Sequence, residues 1–492
     1  MREKVILAID LGTTGNRVVA FNKKGKIVAK SYYKFSQIFP HSGWVEHNPL
    51  EILKTTIKAL RKVIKIVGAE NVVCIGITNQ RETTILWDKD TGKPVYNAIV
   101  WQCRRTEKLC KQYKNYTKAI KQKTGLFLDP YFSVTKIKWI IENVPGIKGK
   151  IKRGKILFGT PDTWLLWNLT KEKCHLTEPS NASRTLLFNI KTLKFDDGLL
   201  KLFKISSSIL PEVRASSSFF GCTDKRFTQK EIPITGVLGD QQASLFAHCG
   251  WEKNIIKATY GTGIFVMTNT LNKLYNLNTL LTTIAWQFEN EINYALEGSI
   301  FMGGATIQWL KDNLKILKKV EESEDIAKSL PNNEGVYFVP AFQGLGAPWW
   351  DAKARGIIIG LTRKTTWKNI VRSALESMAY QVREVVEEMK KIQKKKFKVL
   401  RVDGQASINN FLMQFQADIL NMEIERPKII ETTSLGVAGL AGISAGFWTK
   451  EEFRNLQKTE KIFRPSSLRE KFEKFYQRWK EATKRSKKWT EE

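Results

Sequence analysis

Long apolar runs are missing from this chain of 492 residues, and so is anything with the makeup of a secretory leader. The apolar stretch Val5 to Ile9 near the N-terminus is too short for a signal peptide and lacks a small-residue cleavage site. No uninterrupted apolar span could cross a bilayer, so a cytoplasmic protein without membrane insertion is expected. Cysteine is scarce. Cys74, Cys103, Cys110, Cys174, Cys222 and Cys249 stand far apart without CxxC spacing, which excludes a disulfide framework and a zinc site. The histidines, His41, His47, His175 and His248, form neither a triad nor a metal-ligand pattern and read as structural. The GxxxxGK[ST] loop of the P-loop nucleotidases is absent.

Acidic residues are also in deficit: 48 Asp and Glu face 80 Lys and Arg, for a formal net charge of +32. Such an excess suits a nucleic acid, a membrane surface or anionic small molecules. Lys is nevertheless spread along the whole length rather than massed in one arm. The densest run, Lys390 to Lys398, reads as the polar end of a helix plus a loop. A solvated basic surface is therefore the expectation, with no nucleic-acid partner. With 42% hydrophobic and 26% charged residues the chain is globular, and its length implies two or three domains.

What is present centres on Ile234 to Phe246. A short apolar run ends in Gly239, Asp240 follows, and a helical pattern begins. Gly239 permits close backbone approach, and a carboxylate at a helix N-terminus is favoured in its ionised form. Asp240 could take a proton from a substrate hydroxyl; taken alone, it is equally a helix N-cap.

Val5 to Ile9 runs into Asp10-Leu11-Gly12-Thr13-Thr14-Gly15-Asn16-Arg17 and emerges as a second apolar strand. Backbone N–H groups and hydroxyls in such a loop can wrap phosphate oxygens, with Arg17 adding charge and Asp10 placed for hydrated Mg²⁺. A similar strand, loop and strand recurs at Ile255 to Met267, around Tyr260-Gly261-Thr262-Gly263. Two such hairpins, each opening one half of the chain, suggest related α/β domains across a cleft, with Asp240 just before the second. Between them, Arg81 and Glu82 offer a fork of donors beside an acceptor, which suits a small polyol, and Trp101 an apolar wall. Each is also readable as structure alone, a salt bridge and a core Trp.

Helical periodicity marks Pro49 to Val67, Ile370 to Met389 and Leu468 to Trp489. Late glycine-bearing turns at Gly303-Gly304 and Asp403-Gly404-Gln405 precede helices at Ile307 to Leu314 and Phe411 to Leu420. Helix starts of this kind suit contact with nucleotide phosphate or ribose.

Taken in order, these residues resemble the FGGY carbohydrate kinases, specifically the branch that phosphorylates glycerol. The resemblance covers nearly the whole chain. Besides the loops above, it is carried by Gly43-Trp44-Val45-Glu46-His47, Asn79-Gln80-Arg81-Glu82-Thr83-Thr84, Thr160-Pro161-Asp162-Thr163-Trp164, Ser180-Asn181-Ala182-Ser183-Arg184-Thr185, Gly239-Asp240-Gln241-Gln242, Gly344-Leu345-Gly346-Ala347-Pro348 and Asn409-Asn410-Phe411-Leu412. It implies two actin-like, ribonuclease-H-type α/β domains facing across a cleft that holds ATP and substrate. Residues 1–249 would carry the polyol site, phosphate loop and catalytic Asp, and residues 250–492 the nucleotide site.

By position, Asp240 would be the general base for a terminal glycerol hydroxyl. Arg81, Glu82, Tyr131, Asp240 and Gln241 would bind the polyol, with Trp101 and Phe265 against its carbons. Thr13, Thr14, Gly15, Arg17 and Thr262 would face the ATP phosphates. Gly304, Gln308, Gln405 and Asn409 would lie along the nucleotide, and Asp10 near Mg²⁺. A homodimer or homotetramer is expected.

The chain departs from the family pattern at several positions. Leu11 replaces a usual Gln, and Gly15-Asn16 a pair of small hydroxyl residues, so the hydroxyl contact at position 15 is lost. Gln405 replaces the second Gly of Asp-Gly-Gly, where a side chain either crowds ATP or adds a contact. Glu231 stands where relatives inhibited by fructose 1,6-bisphosphate carry a loop Arg, so no such inhibition is expected. The loop from Cys222 to Glu231 also lacks the His phosphorylated in some relatives. The remaining alternatives are an FGGY kinase for another small polyol or ketose, and a non-enzymatic actin-like nucleotide-binding protein.

Overall fold

A computed structural model describes residues 3–252, 254–394 and 397–490. The first half begins as a meander of three strands, β1 (Val5–Leu11), β2 (Gly15–Asn22) and β3 (Ile27–Lys34). Helix α1 (Pro49–Val67) follows, with the bounds its periodicity predicts. Asn48 caps it and Pro49 opens it, both ordinary helix-start chemistry. Strands β4 (Val72–Asn79) and β5 (Ile234–Gly239) complete a five-stranded sheet in the order β5-β4-β1-β2-β3. The meander is antiparallel, while β4 and β5 lie parallel to β1 and to each other. Helix α2 (Asp240–Ala247) leaves the end of β5.

The second half repeats this plan. Strands β6 (Ile256–Tyr260), β7 (Ile264–Leu271), β8 (Leu281–Phe288) and β9 (Glu291–Ile300) form an antiparallel set. Helices α3 (Gly304–Asp312) and α4 (Trp367–Gln393) follow, then β10 (Val399–Asp403), α5 (Asn410–Leu420) and β11 (Glu423–Pro427). Helix α6 (Thr432–Ser444), strand β12 (Thr459–Phe463) and helix α7 (Arg469–Ser486) close the chain. The seven strands run β8-β9-β7-β6-β10-β11-β12, with β10 parallel to β6 and β11 parallel to β10. Strands β6, β7, β10 and β11 thus stand as β1, β2, β4 and β5 do in the first sheet.

Each sheet has its own apolar core, and a further core joins the halves. Ile6, Ala8 and Phe21 of the first sheet pack in one buried cluster with Phe246 of α2, Met267 and Trp286 of the second sheet, and Leu435 and Leu440 of α6. Helices α2 and α6 are thereby wedged between the sheets, which fixes where β5 hands over to Asp240. The long Lys-rich run falls as expected at its start, since Lys390 and Lys391 end α4; Lys395 and Lys396 lie outside the described residues.

Candidate functional site

Both Gly/Thr loops are tight hairpin turns. Gly12 donates its N–H to Gly15 O across the first (3.2 Å), and Gly261 to Gly263 O across the second (2.9 Å). Thr13 and the Gly261–Gly263 turn come together at one cavity of about 150 Å³, with Arg81, Glu82, Trp101, Tyr131, Asp240, Gln241, Thr259 and Phe265. That volume is roughly five waters' worth, a fit for a molecule of a few heavy atoms. The predicted polyol residues all line it.

Asp240 is the first residue of α2, and Gly239 before it holds the N-cap position. The capping alternative therefore belongs to the neighbour. A Cβ at Gly239 would lie 2.8 Å from Arg81 Cδ and 2.9 Å from Gln242 Oε1, so only glycine lets Arg81 pass this close. The Asp240 side chain is 29% exposed, with Oδ1 3.2 Å from Arg81 Nε. That oxygen also accepts from the Gln241 N–H at 2.7 Å. The carboxylate is thus oriented, yet open to the cavity.

Behind Arg81 and Glu82 lies an ionic bed closed to solvent. Glu297 of β9 accepts from Arg81 at 2.6 and 3.0 Å and from Arg184 at 3.0 and 3.3 Å. Arg184 Nε also donates to Glu82 Oε1 at 2.5 Å. Burial alone would raise the Glu297 pKa, but the Arg184 and Arg81 guanidiniums pull it down to about 2. Glu82 has φ +61°, a left-handed backbone disfavoured for a non-glycine residue. Ser133 Oγ donates to its carbonyl (3.0 Å), and the Arg184 contact holds the side chain. On the apolar side, Trp101 meets Tyr131 and Phe265 edge-on at 5.8 and 6.1 Å, and its indole N–H donates to Thr13 Oγ1 at 3.1 Å.

A second cavity of about 560 Å³ adjoins the first, and the two share Gly261 and Thr262. Its lining includes Gly304, Gln308, Gln405 and Asn409, together with apolar Ile307, Leu375, Met378 and Ile408. This size and apolar-polar mix suit a nucleoside triphosphate. Asn409 caps α5 by accepting from the Leu412 N–H at 2.9 Å. Gly404 has φ +84°, and a Cβ there would lie 2.6 Å from Tyr260 O, which explains a glycine at that turn. Gln405 is exposed at the rim, in a short 3-10 turn (Gln405–Ile408) rather than an open loop.

Several expectations are refined. The start of α3 offers no free amides to phosphate: Gly303 donates to Thr262 O (2.8 Å), Gly304 to Gly261 O (2.9 Å) and Ala305 to Thr262 O (3.2 Å). That helix start locks the hairpin instead. Gly15 is buried, with Tyr33 O 2.6 Å from where a Cβ would be, so no side chain fits at that position. Asn16 turns its amide away to Ile52 O and Thr55 Oγ1, both at 2.8 Å. Leu11 is buried in the core of the first sheet. Thr14 and Arg17 sit by Tyr32, with Thr14 Oγ1 3.2 Å from its hydroxyl and Arg17 5.5 Å over its ring. Neither they nor Asp10 lines the two cavities. Three of the four histidines hold structural contacts: His47 pairs with Gln37, His175 with Phe158 O and His248 with Asp403.

Asp10 fits a cation. Burial raises its pKa to about 6 against the pull of Arg17, and Asp240 raises it further. Asp10, half-buried, and Asp240 are within electrostatic reach of each other, and a divalent cation held beside them would relieve their repulsion. Among the described residues no cluster of three or more His, Cys, Asp or Glu could hold a metal by itself. That agrees with Mg²⁺, which typically binds through one or two carboxylates, waters and the substrate phosphates.

Comparison with known proteins agrees with this geometry. Residues 5–247 match the N-terminal domain model of the FGGY family of carbohydrate kinases, and residues 256–445 match its C-terminal domain model. The chain belongs to the FGGY carbohydrate kinases. It is 57% identical to a glycerol kinase of Aquifex aeolicus over 488 residues, covering 99% of each chain. It is 52% identical to glycerol kinase 2 of Thermotoga maritima over 492 residues, again covering 99% of each. Its fold superposes on a Plasmodium falciparum glycerol kinase crystallised with ADP at a TM-score of 0.90, 38% identity and 98% coverage of both chains. A gluconate kinase from Lactobacillus acidophilus shares the fold, at a TM-score of 0.87 over 98% of both chains and 22% identity. The two-domain FGGY fold is therefore this chain's.

Sequence reasoning had not given roles to Glu297, Arg184, Lys257 or Thr259. Arg184 lay in a quoted motif, and Lys257 and Thr259 in a recognised strand. Glu297 carried no local signal, because its arginine partners are over a hundred residues away in the chain.

Proposed function

We propose that this FGGY kinase transfers the γ-phosphoryl group of ATP to a terminal hydroxyl of glycerol, giving sn-glycerol 3-phosphate, with Asp240 as general base. The observation that carries the reading is the shared wall: a cavity of about 150 Å³ lined by Asp240 and a cavity of about 560 Å³ have the Gly261-Thr262 turn in common. A hydroxyl bound in the first faces a phosphoryl group seated at the turn between them.

Arg81 and Gln241 donate to the polyol oxygens, Glu82 accepts, and Trp101 and Phe265 cover the carbons. Asp240 accepts the proton as the oxygen–phosphorus bond forms. In-line phosphoryl transfer asks for alignment and charge neutralisation more than covalent participation. The Thr13 and Thr262 hairpins face the phosphates, with Thr14, Gly15 and Arg17 beside the first. Mg²⁺ held near Asp10 would neutralise phosphate charge. Closure of the two halves excludes water and limits hydrolysis of ATP. The reading carries with it a cytoplasmic protein acting as a homodimer or homotetramer, which light scattering measures.

Purified protein with ATP and Mg²⁺ tests it, comparing glycerol with dihydroxyacetone, erythritol and xylulose. Glycerol is expected to give the highest kcat/KM, because the cavity is small. A preference for xylulose or erythritol would move the assignment to another FGGY substrate. ATP turnover without any polyol acceptor would favour the actin-like alternative.

Two further outcomes are expected. Gln405→Gly alters KM for ATP by a few-fold at most and leaves KM for glycerol unchanged, because residue 405 lies at the rim of the nucleotide cavity alone. Fructose 1,6-bisphosphate does not inhibit. Glu231, which stands where the resemblance puts an arginine in the inhibited relatives, also pairs with Lys225 at 3.5 Å and so takes up the nearby positive charge. Millimolar inhibition in a steady-state assay would contradict this.

A further inference from the structure

Lys257 is a buried cation that the chemistry above does not use. It lies on β6 with no solvent exposure, and among the described residues no carboxylate is within ion-pair distance of it. Its ammonium makes two hydrogen bonds, to Gln241 Oε1 at 2.6 Å and to Thr259 Oγ1 at 2.8 Å. Both partners line the polyol cavity, although Lys257 itself does not. From Thr259 Oγ1 the chain continues to Ser244 Oγ at 3.2 Å, and Ser244 donates to Asp403 Oδ2 at 2.6 Å. Desolvating an ammonium is expensive, so a buried lysine without a contacting carboxylate needs a reason. Burial lowers its pKa to about 8, partly offset by Asp403 and Asp240.

Hydrogen-bond valence supplies that reason. A glutamine amide has one face that accepts and one that donates, and free in a polar cavity it can present either. An ammonium only donates. With Lys257 on its oxygen, Gln241 is compelled to turn its NH₂ toward the cavity. Asp240, next in the chain, is an acceptor. Adjacent residues thereby present opposite valence to the polyol, one donating to a hydroxyl oxygen and the other accepting a hydroxyl proton.

We propose that Lys257 is a positioning residue: it sets the amide orientation of Gln241 from the far side of the cleft, making that residue a dedicated donor to a substrate hydroxyl. This rests on the polyol reading of the cavity. Lys257 lies on the second half of the chain and Gln241 at the end of the first, so polyol binding becomes sensitive to how the two halves sit together.

The test is a double-mutant cycle read on KM for glycerol, with Lys257→Met, Gln241→Ala and the pair together. Each single variant is expected to raise that KM by about three- to tenfold, the usual worth of a hydrogen bond between neutral groups. KM for ATP should move less than about threefold. The double variant should resemble the worse single variant, because Lys257 has nothing left to orient once the amide is gone. Multiplying effects in the double variant would overturn the proposal, and so would an unchanged glycerol KM in Lys257→Met. If Lys257→Met does not fold, Lys257→Gln carries the same cycle. Failure of both to fold would also overturn the proposal, since the residue would then hold the fold rather than the amide. Wild-type turnover of glycerol in the same assay tests the underlying function separately.

Discussion

Asp240→Asn is expected to lower kcat for glycerol by about 10² to 10⁴, the usual range for a general base and equivalent to about 3 to 5 kcal/mol of transition-state stabilisation. The substitution is nearly isosteric. The amide introduced there can keep a side-chain oxygen where the Gln241 N–H donates, and Gly239 still caps α2, so the helix and cavity should survive. What is lost is the capacity to accept the hydroxyl proton. KM for ATP should be unchanged, because residue 240 does not line the nucleotide cavity. KM for glycerol should rise modestly, since Arg81 loses one anionic partner at 3.2 Å but keeps Glu297. Steady-state kinetics over both substrates would separate these effects. A kcat loss under tenfold would remove Asp240 from the base role. A loose, metaphosphate-like transition state in which the proton leaves late would produce such a result.

The motif around Asp240 was legible in the sequence because its causes are local. A strand end, a glycine and a carboxylate opening a helix are consecutive residues, and Gly239 is needed where Arg81 Cδ would otherwise be struck. The repeated hairpins were legible for the same reason, and with them the two-sheet plan. Less visible was how the halves join. Helix α6 lies in the second half by sequence yet packs with α2 between the sheets, sharing a core with Ile6, Phe21 and Met267. Nothing in the run from Thr432 to Ser444 announces that, beyond its apolar stretch from Leu435 to Ile443, which says buried without saying against what. The start of α3 misled for a related reason. Two glycines before a helix are compatible with phosphate binding, but here the Thr262 and Gly261 carbonyls occupy those amides first. Glu297 marks the limit of local reading. It is one acidic residue in a strand of ordinary composition, and only the tertiary fold brings two arginines to it.

Glu297→Gln is expected to be the most damaging substitution outside the cavity lining. Glu297 accepts from both Arg81 and Arg184, each buried. The amide keeps the shape but removes the charge and replaces one acceptor with a donor aimed at a guanidinium. Breaking one side of a buried ion pair typically costs about 3 to 5 kcal/mol. Thermal unfolding should show it as a fall in Tm of several degrees. In the folded fraction, kcat/KM for glycerol should drop while KM for ATP holds, because Arg81 and Glu82 face the polyol and neither lines the nucleotide cavity. The pH dependence offers an independent check. The folded pKa of Glu297 is depressed from 4.5 to about 2, so its stabilisation is fully present above pH about 4.5 and is lost as pH falls from there toward 2. That shift corresponds to about 3 kcal/mol. Wild-type protein should therefore lose stability more steeply across this window than Glu297→Gln does, and the two unfolding curves should converge toward pH 2. Parallel curves, or a variant with wild-type Tm and glycerol kinetics, would mean that Arg81 and Arg184 are held by something other than this carboxylate.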